Sequence, residues 1–376
     1  MAEAGARGLC PPRFAPVRQV FEANFAEGLE IGARFAVAIE GEVVVDLIGG
    51  WADRDQHRPF EEDTLTPVFS TTKAVASFMV ARCVDQGRLG YGQRVAELWP
   101  EFAAAGKAAI TVEQVLSHQA GLCGFPEPMD PADWLDWDFV RDRLAAMAPL
   151  WPPGTASGYH PVTWGYLIGE IFRRADGRTI GAALREDVAG PLGLDLWIGL
   201  PDTEHHRVAE IRRPTALPKL GPITEPRRLA FLTKWAQPGG RSLAEARRVE
   251  IPSANGHATA PALAQLMAIL ADDGVLGATR VLSPGMAAEA GRQRITGPDL
   301  VLPYDLSWGA GFLRNQGLLI YGPGPETFGH SGWGGSCAFA DPERGVSCAY
   351  VMNRQSAELI SDTRARRLID AAYACL

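Results

Sequence analysis

Apolar positions along the chain keep two rhythms. From Pro16 to Gly28 they return at helical spacing, which predicts an amphipathic first helix ending at the glycine. "RFAVAIEGEVVVDLIGG" then switches to β-rich runs on either side of Glu40-Gly41, a hairpin pattern. In "VFSTTKAVASFMVARCVDQGRLG", Val68 to Gly90, the residues Val75, Phe78, Met79 and Val84 share one helical face and Gly87 supplies a stop. From about Val95 to Val249, helical segments such as "TVEQVLSHQAGL" and "TWGYLIGEIFRRADG" alternate with loops rich in Pro, Gly and Trp. Strand signals there are sparse.

"TAPALAQLMAILADDG" predicts a further amphipathic helix. Strands return in "LSWGAGFLRN", "GLLIYG" and "SCAFADPERGVSCAYVMN", the last turning back at Asp341–Gly345. "SAELISDTRARRLIDAAYACL" closes the chain as a helix. No internal repeat is visible. Strand-rich ends around a helix-rich middle predict an α+β fold. Residues 1–95 and 255–376 would form one discontinuous α/β domain, residues 96–254 a mainly helical insertion, and the helix of Ser70 the interface between them.

The chain has 376 residues, 47% hydrophobic and 21% charged, enough to bury a large core. A net charge of −8 argues against nucleic acid as a partner. No apolar run reaches membrane-spanning length, and Pro11-Pro12 interrupts an N-terminus without a signal-like apolar core. The six cysteines are dispersed without CxxC spacing, the pattern of free thiols in a reducing compartment. A cytoplasmic protein is expected, with no membrane partner and homo-oligomerisation left open.

Charge usage sharpens the picture. Only four of the 36 basic residues are lysines: Lys73, Lys107, Lys219 and Lys234. Arg cannot give up its proton in a protein, whereas Lys can. Lys73 stands three residues after Ser70, one turn along the same predicted helix face. The free N–H groups and positive dipole end of the helix would lower its pKa. Serine needs such an adjacent base to become a nucleophile, and its own N–H can donate to an oxyanion. S-x-x-K alone is a weak motif.

Context adds to it. "WPPGTASGYHPVTWGYLIGEI" places Tyr159 in a turn-rich loop before a helix. A phenol beside a cationic amine would be drawn toward phenolate and could shuttle protons. "TFGHSGWGGSCAFADPE" sets glycines beside a predicted strand, where a ligand could approach the backbone and a second N–H could face that of Ser70.

In this order the pieces resemble the serine β-lactamase and penicillin-binding-protein superfamily, and more closely the family VIII carboxylesterases, whose relatives include the class C β-lactamases. "GYHPVTWGYLIGEIFRRADGRTIGAALREDVAGPLGLDLWIGLP" and "PSANGHATAPALAQLMAIL" extend the likeness over most of the chain. The resemblance implies a mainly antiparallel sheet flanked by helices, an inserted helical domain and an active site in the cleft between them. It implies Ser70 as the acylated nucleophile, Lys73 as its partner base and Tyr159 as the relay to the leaving group. His330-Ser331-Gly332 would bind substrate where β-lactamases carry Lys-Thr-Gly. The second oxyanion N–H would come from Trp333, or from Ser336 in a shifted register.

Two departures bear on substrate. Tyr-x-Asn is here Tyr159-His160-Pro161, so the amide that binds peptide-like substrates is missing. His330 replaces a lysine, so the fixed charge that would clamp a carboxylate is gone or conditional on pH. A small neutral ester needs neither group. The expected enzyme is a serine carboxylesterase for small or short-chain esters, working through an acyl-enzyme without metal or cofactor. A β-lactamase or D-Ala-D-Ala peptidase, an acyltransferase and a non-catalytic binding domain are the alternatives.

Other candidates carry less. The G-x-S-x-G elbow is absent, and "GVSCA" around Ser347 lies within a predicted hairpin. His205-His206 lacks a second ligand cluster with zinc-like spacing and reads as a polar turn. His118 and His257 read as structural histidines, although His257 could line the cleft. Trp134, Trp137, Trp151 and Trp164 read as core, with one or two available to wall an apolar pocket.

Overall fold

The computed structural model describes residues 5–376; Met1–Ala4 of the N-terminal stretch lie outside them. Nine strands form the main sheet: β1 (Arg7–Leu9), β2 (Gly32–Ile39), β3 (Glu42–Gly50), β4 (Ile295–Pro298), β5 (Asp305–Trp308), β6 (Leu313–Arg314), β7 (Phe328–Ser331), β8 (Cys337–Asp341) and β9 (Val346–Met352). Their order is β1-β3-β2-β9-β8-β7-β6-β5-β4, and every pairing is antiparallel. The two ends of the chain meet in mid-sheet, where β2 pairs with β9 from Ala33↔Met352 to Ile39↔Val346. The β2–β3 hairpin turns at Glu40 and Gly41, both at positive φ (49° and 76°). A two-residue turn of that hand matches the strand twist.

Alternation along the strands decides what covers each face. Phe35, Val37, Leu47, Phe339, Cys348 and Tyr350 meet α1 (Ala15–Ala26) and the C-terminal α5 (Thr363–Tyr373) on one side. The opposite side is lined by small residues, among them Ala36, Ala338, Ala340 and Ala349. They admit the alanine-rich α4 (Ala260–Ala271), which packs across β2, β8 and β9. Ser347, from the discarded "GVSCA", is buried on this face and donates to Ala264 O at 2.7 Å.

The remaining apolar surface runs from α4 through α2 (Thr72–Asp85) into α3 (Thr163–Asp176) and the helix Trp137–Ala146 as one core. This explains a difference from the expected amphipathic stripes. Residues 72–81 of α2 are buried all round, as is nearly all of α4, because each is sandwiched between the sheet and the helical section. A three-stranded sheet of Thr66–Pro67, Gly256–Ala258 and Leu196–Ile198 lies outside the expected pattern.

Two other expectations fail locally. "GLLIYG" is not a strand: the loop after β6 hangs on Asn315, whose side chain takes the Tyr321 N–H (2.8 Å) and donates to Gly322 O and Gly324 O (2.7 and 2.8 Å). That satisfies its backbone without a ladder, and positive φ at Gly317, Leu319 and Gly322 excludes extended chain. The last helix starts at Thr363, not near Ser356, because Asp362 caps it by accepting the Arg364 N–H at 2.9 Å.

Candidate active site

Ser70 lies in a single 3-10 turn, Phe69–Thr71, that runs directly into α2. The turn is held from both flanks. Thr71 N–H returns to Val68 O (3.1 Å), Val68 N–H reaches Gly256 O (2.9 Å), and Thr72 Oγ1 accepts the Gly256 N–H (2.8 Å). Phe69 sits at φ 48°, a left-handed conformation that is strained for a bulky residue. The closing bond of the turn does not use the Ser70 N–H.

Lys73 is completely buried. Its Nζ lies 2.9 Å from Tyr159 Oη, 3.4 Å from Ser70 Oγ, 2.8 Å from Pro161 O and 3.0 Å from Ser253 O. Among the described residues no carboxylate pairs with it. Burial therefore drives its pKa well below the ordinary lysine value. The expected helix-dipole effect is secondary to this desolvation. A neutral amine has two N–H bonds and one lone pair. The two carbonyls take N–H bonds from it in either protonation state, and the two hydroxyls lie on its remaining positions.

Tyr159 is fixed on three sides. Its backbone N–H donates to Asp299 Oδ1 (2.9 Å), which also receives the N–H groups of Val301 and Leu302, each at 2.9 Å. The ring stacks on Trp308 at 6.0 Å and 9°, with the His118 and His330 rings at 4.9 and 6.0 Å. Its pKa is raised, first by burial and further by the charge of Asp299, while the Ser70 hydroxyl pulls it back. The expected drift toward phenolate is overturned, because burial of the phenol itself, with the nearby Asp299 charge, favours the neutral form.

His160 and Pro161 have structural parts here. His160 accepts the Leu122 N–H on Nε2 (2.9 Å) and donates from Nδ1 to Gly158 O (2.6 Å). Pro161 directs its carbonyl at Lys73. His330, on β7, donates from Nδ1 to Ser331 O (2.8 Å) and is buried. Burial pushes its pKa down to about 3. At neutral pH the ring is uncharged, so the carboxylate clamp is gone. Ser331 Oγ is bonded to Tyr321 Oη at 2.9 Å.

Gly332 follows β7 and abuts the turn of Ser70. A Cβ there would stand 2.2 Å from Val68 O. Residues Gly332–Gly335 form a turn closed by Gly335 N–H on Gly332 O (3.1 Å), with Gly334 at φ 93°. That bond leaves the Trp333 N–H free, and the Trp333 ring meets Phe69 edge-on at 6.2 Å. Ser336 lies deeper, fully buried, with its side chain on Val68 O and Thr71 Oγ1.

The structure thus gathers Ser70, Lys73, Tyr159, His330, Gly332 and Trp333 in one place, with His118 beneath Tyr159. His257 is buried in the three-stranded sheet, paired with Pro67 and Trp197. His205 and His206 occupy the turn Asp202–Arg207, and no metal-binding cluster occurs among the described residues. Trp164 Nε1 donates to Leu116 O, Trp134 Nε1 to Trp235 O, Trp137 Nε1 to Glu170 and Trp151 Nε1 to Ala156 O. Asp299, Trp308, Ser253 O and Pro161 O were not singled out in the sequence. For Asp299 the one available signal was Pro-Asp in a polar turn.

A serine with a buried lysine one turn on, a tyrosine from a loop and a glycine-rich turn at the end of a strand opposite define a β-lactamase-like serine hydrolase. The Beta-lactamase family model matches residues 18–372, and the chain belongs to that family. A penicillin-binding protein homolog from Caulobacter crescentus superposes with a TM-score of 0.97 at 65% identity, covering 99% of this chain and 100% of that one. A family VIII carboxylesterase superposes at 0.92 with 43% identity over the same shares. The esterase/beta-lactamase LipL of Mycobacterium tuberculosis is 36% identical over 373 residues, 95% of this chain and 86% of LipL. No helix among the described residues is long and apolar enough to cross a membrane.

Proposed function

We propose that the protein is a carboxylesterase that hydrolyses small neutral esters through an acyl-enzyme on Ser70. The observation that carries this reading is the buried Lys73 amine, its Nζ 3.4 Å from Ser70 Oγ and 2.9 Å from Tyr159 Oη. In acylation the Ser70 proton passes to Tyr159 Oη while the phenol proton passes to Lys73. Tyr159 is a conduit and stays neutral, in keeping with its raised pKa. Ser70 Oγ bonds to the ester carbonyl carbon. The Ser70 and Trp333 N–H groups hold the oxyanion, an effect of about 3 kcal/mol per donor in such sites. As the tetrahedral intermediate collapses, the C–O bond to the alcohol breaks. The alkoxide takes a proton from Tyr159, which Lys73 replenishes. Water then repeats the sequence on the acyl-enzyme and releases the acid.

Substrate choice follows from what is missing. An uncharged His330 offers no counterion, and Pro161 offers no side-chain amide, so carboxylate-bearing β-lactams and peptides lack their usual holds. The likenesses to a family VIII carboxylesterase and to LipL support esterase activity. The second half of LipL's description keeps β-lactam hydrolysis as the second reading. Short-chain p-nitrophenyl esters and nitrocefin assayed together separate the two. Ester turnover lost in Ser70→Ala, with a phosphonate adduct on Ser70 by intact mass, is the expected result. Wild-type turnover by Ser70→Ala would overturn it, and nitrocefin turnover equal to ester turnover would favour the second reading.

A further inference from the structure

The two N–H groups assigned to the oxyanion belong to separate turns. One follows Val68 and carries Ser70; the other follows β7 and carries Trp333. Their spacing is not fixed by either turn alone. Two links join them. One is the edge contact of Phe69 with Trp333. The other is Ser336, which is fully buried and touches both sides. Its carbonyl accepts the N–H of Gly332, the residue before Trp333, at 2.7 Å. Its hydroxyl lies 2.8 Å from Val68 O and 3.0 Å from Thr71 Oγ1, which flank Ser70. A carbonyl only accepts, so the Ser336 proton goes to Val68 O and the Thr71 hydroxyl donates to Ser336 Oγ.

We propose that Ser336 is a positioning residue for the oxyanion hole: its hydroxyl clasps the nucleophile turn to the turn of Trp333 and sets the distance between the two N–H donors. This rests on the esterase reading above. Three features make the clasp matter. Phe69 is held in a strained left-handed conformation that persists only where its surroundings enforce it. Gly332 leaves no slack, since even a Cβ would lie 2.2 Å from Val68 O and 2.3 Å from Ser336 Oγ. The donors must also meet an oxygen that is an anion only in the transition state, so a small displacement acts on catalysis and not on substrate binding. The serine is separable from the fold, because Val68 O keeps its bond from Thr71 N–H when the hydroxyl is removed.

The test compares wild type, Ser336→Ala and Thr71→Val as full chains on p-nitrophenyl butyrate, with an alkyl boronic acid as tetrahedral mimic. Expected for Ser336→Ala is a kcat about 10- to 100-fold lower, a KM within about threefold of wild type, and boronic acid affinity lower by the same factor as kcat. Thr71→Val, which removes one bond of the clasp, should move both quantities in the same direction by less. A kcat within twofold of wild type overturns the proposal. So does a lower kcat with unchanged boronic acid affinity, since that is a general structural effect. If Ser336→Ala does not fold, Thr71→Val decides by the same two readouts. Failure of the esterase reading itself shows separately, as activity surviving in Ser70→Ala.

Discussion

Lys73 Nζ and Tyr159 Oη stand 2.9 Å apart, and burial shifts the two groups in opposite directions, the amine down and the phenol up. Both shifts favour the uncharged form. The proposed relay therefore uses a neutral base hydrogen-bonded to a neutral acid, not an ammonium–phenolate ion pair. That state suits a proton relay, because a proton can move along it without a buried ion pair having to be broken first.

Tyr159→Phe keeps the ring that stacks on Trp308 and removes only the relay oxygen. We expect kcat on a short-chain p-nitrophenyl ester to fall about 10²- to 10⁴-fold, with Tm within a few degrees of wild type. Steady-state kinetics and a melting curve on the same preparation check both halves. A loss confined to KM would argue against a relay.

Gly332→Ala places a methyl 2.2 Å from a backbone carbonyl that has no room to retreat. The expected result is a kcat lower by at least about tenfold, together with a loss of about 2 kcal/mol or more in urea unfolding. Equal substitution at Gly92, where a Cβ would meet nothing within 4 Å, serves as the control for activity.

Asp299 gathers three backbone N–H groups on one oxygen, Tyr159's among them. Asp299→Ala strands these buried donors and should destabilise by about 2–4 kcal/mol while lowering kcat. Asp299→Asn keeps an acceptor oxygen and should recover most of both. Chemical denaturation of the two variants distinguishes an acceptor role from a need for the charge.

His160 and His330 are both pushed down to about 3 by burial, against an ordinary 6.5. In the window between those values the unfolded chain binds protons that the folded protein refuses. Stability is present above pH 6.5 and is lost as the pH falls toward 3, by about 1.4 kcal/mol per pH unit for each such histidine. Tm should fall on acidification through this range, and His330→Phe should flatten the fall. Parallel curves for wild type and variant would mean that His330 is not held neutral.

Much of this could be seen in the residues alone. The hairpin at Glu40-Gly41 and the β8–β9 return are local patterns, so their periodicity reported them. Ser70, Lys73, Tyr159 and the His330–Trp333 turn stood out because side chains of those types at those spacings suggest a chemistry, and the fold brings them together. What was missed is of a different kind. Pro161 and Ser253 act through backbone carbonyls, to which side-chain identity is silent. The small sheet uses strands of two or three residues from distant segments, too short to carry a period. "GLLIYG" has strand composition, but Asn315 satisfies its backbone otherwise. The phenol's direction was misjudged because burial of the ring decides it, and burial is not visible in a loop sequence. The scarcity of lysine also pointed at Lys107, which the fold uses to tie Ala104 O and Met147 O together.

The central claim is that Lys73 is an uncharged amine in the resting enzyme, and lysine scarcity makes it measurable. With four lysines, protein labelled with ¹³C at lysine Cε gives few resonances, and the one missing from Lys73→Met is assigned directly. The account predicts that this resonance reports a neutral amine at pH 7. Its titration should lie well below the ordinary lysine value of 10.5, and the acidic limb of kcat/KM should share its midpoint. A Lys73 resonance that stays in the ammonium form until pH 10 would contradict it.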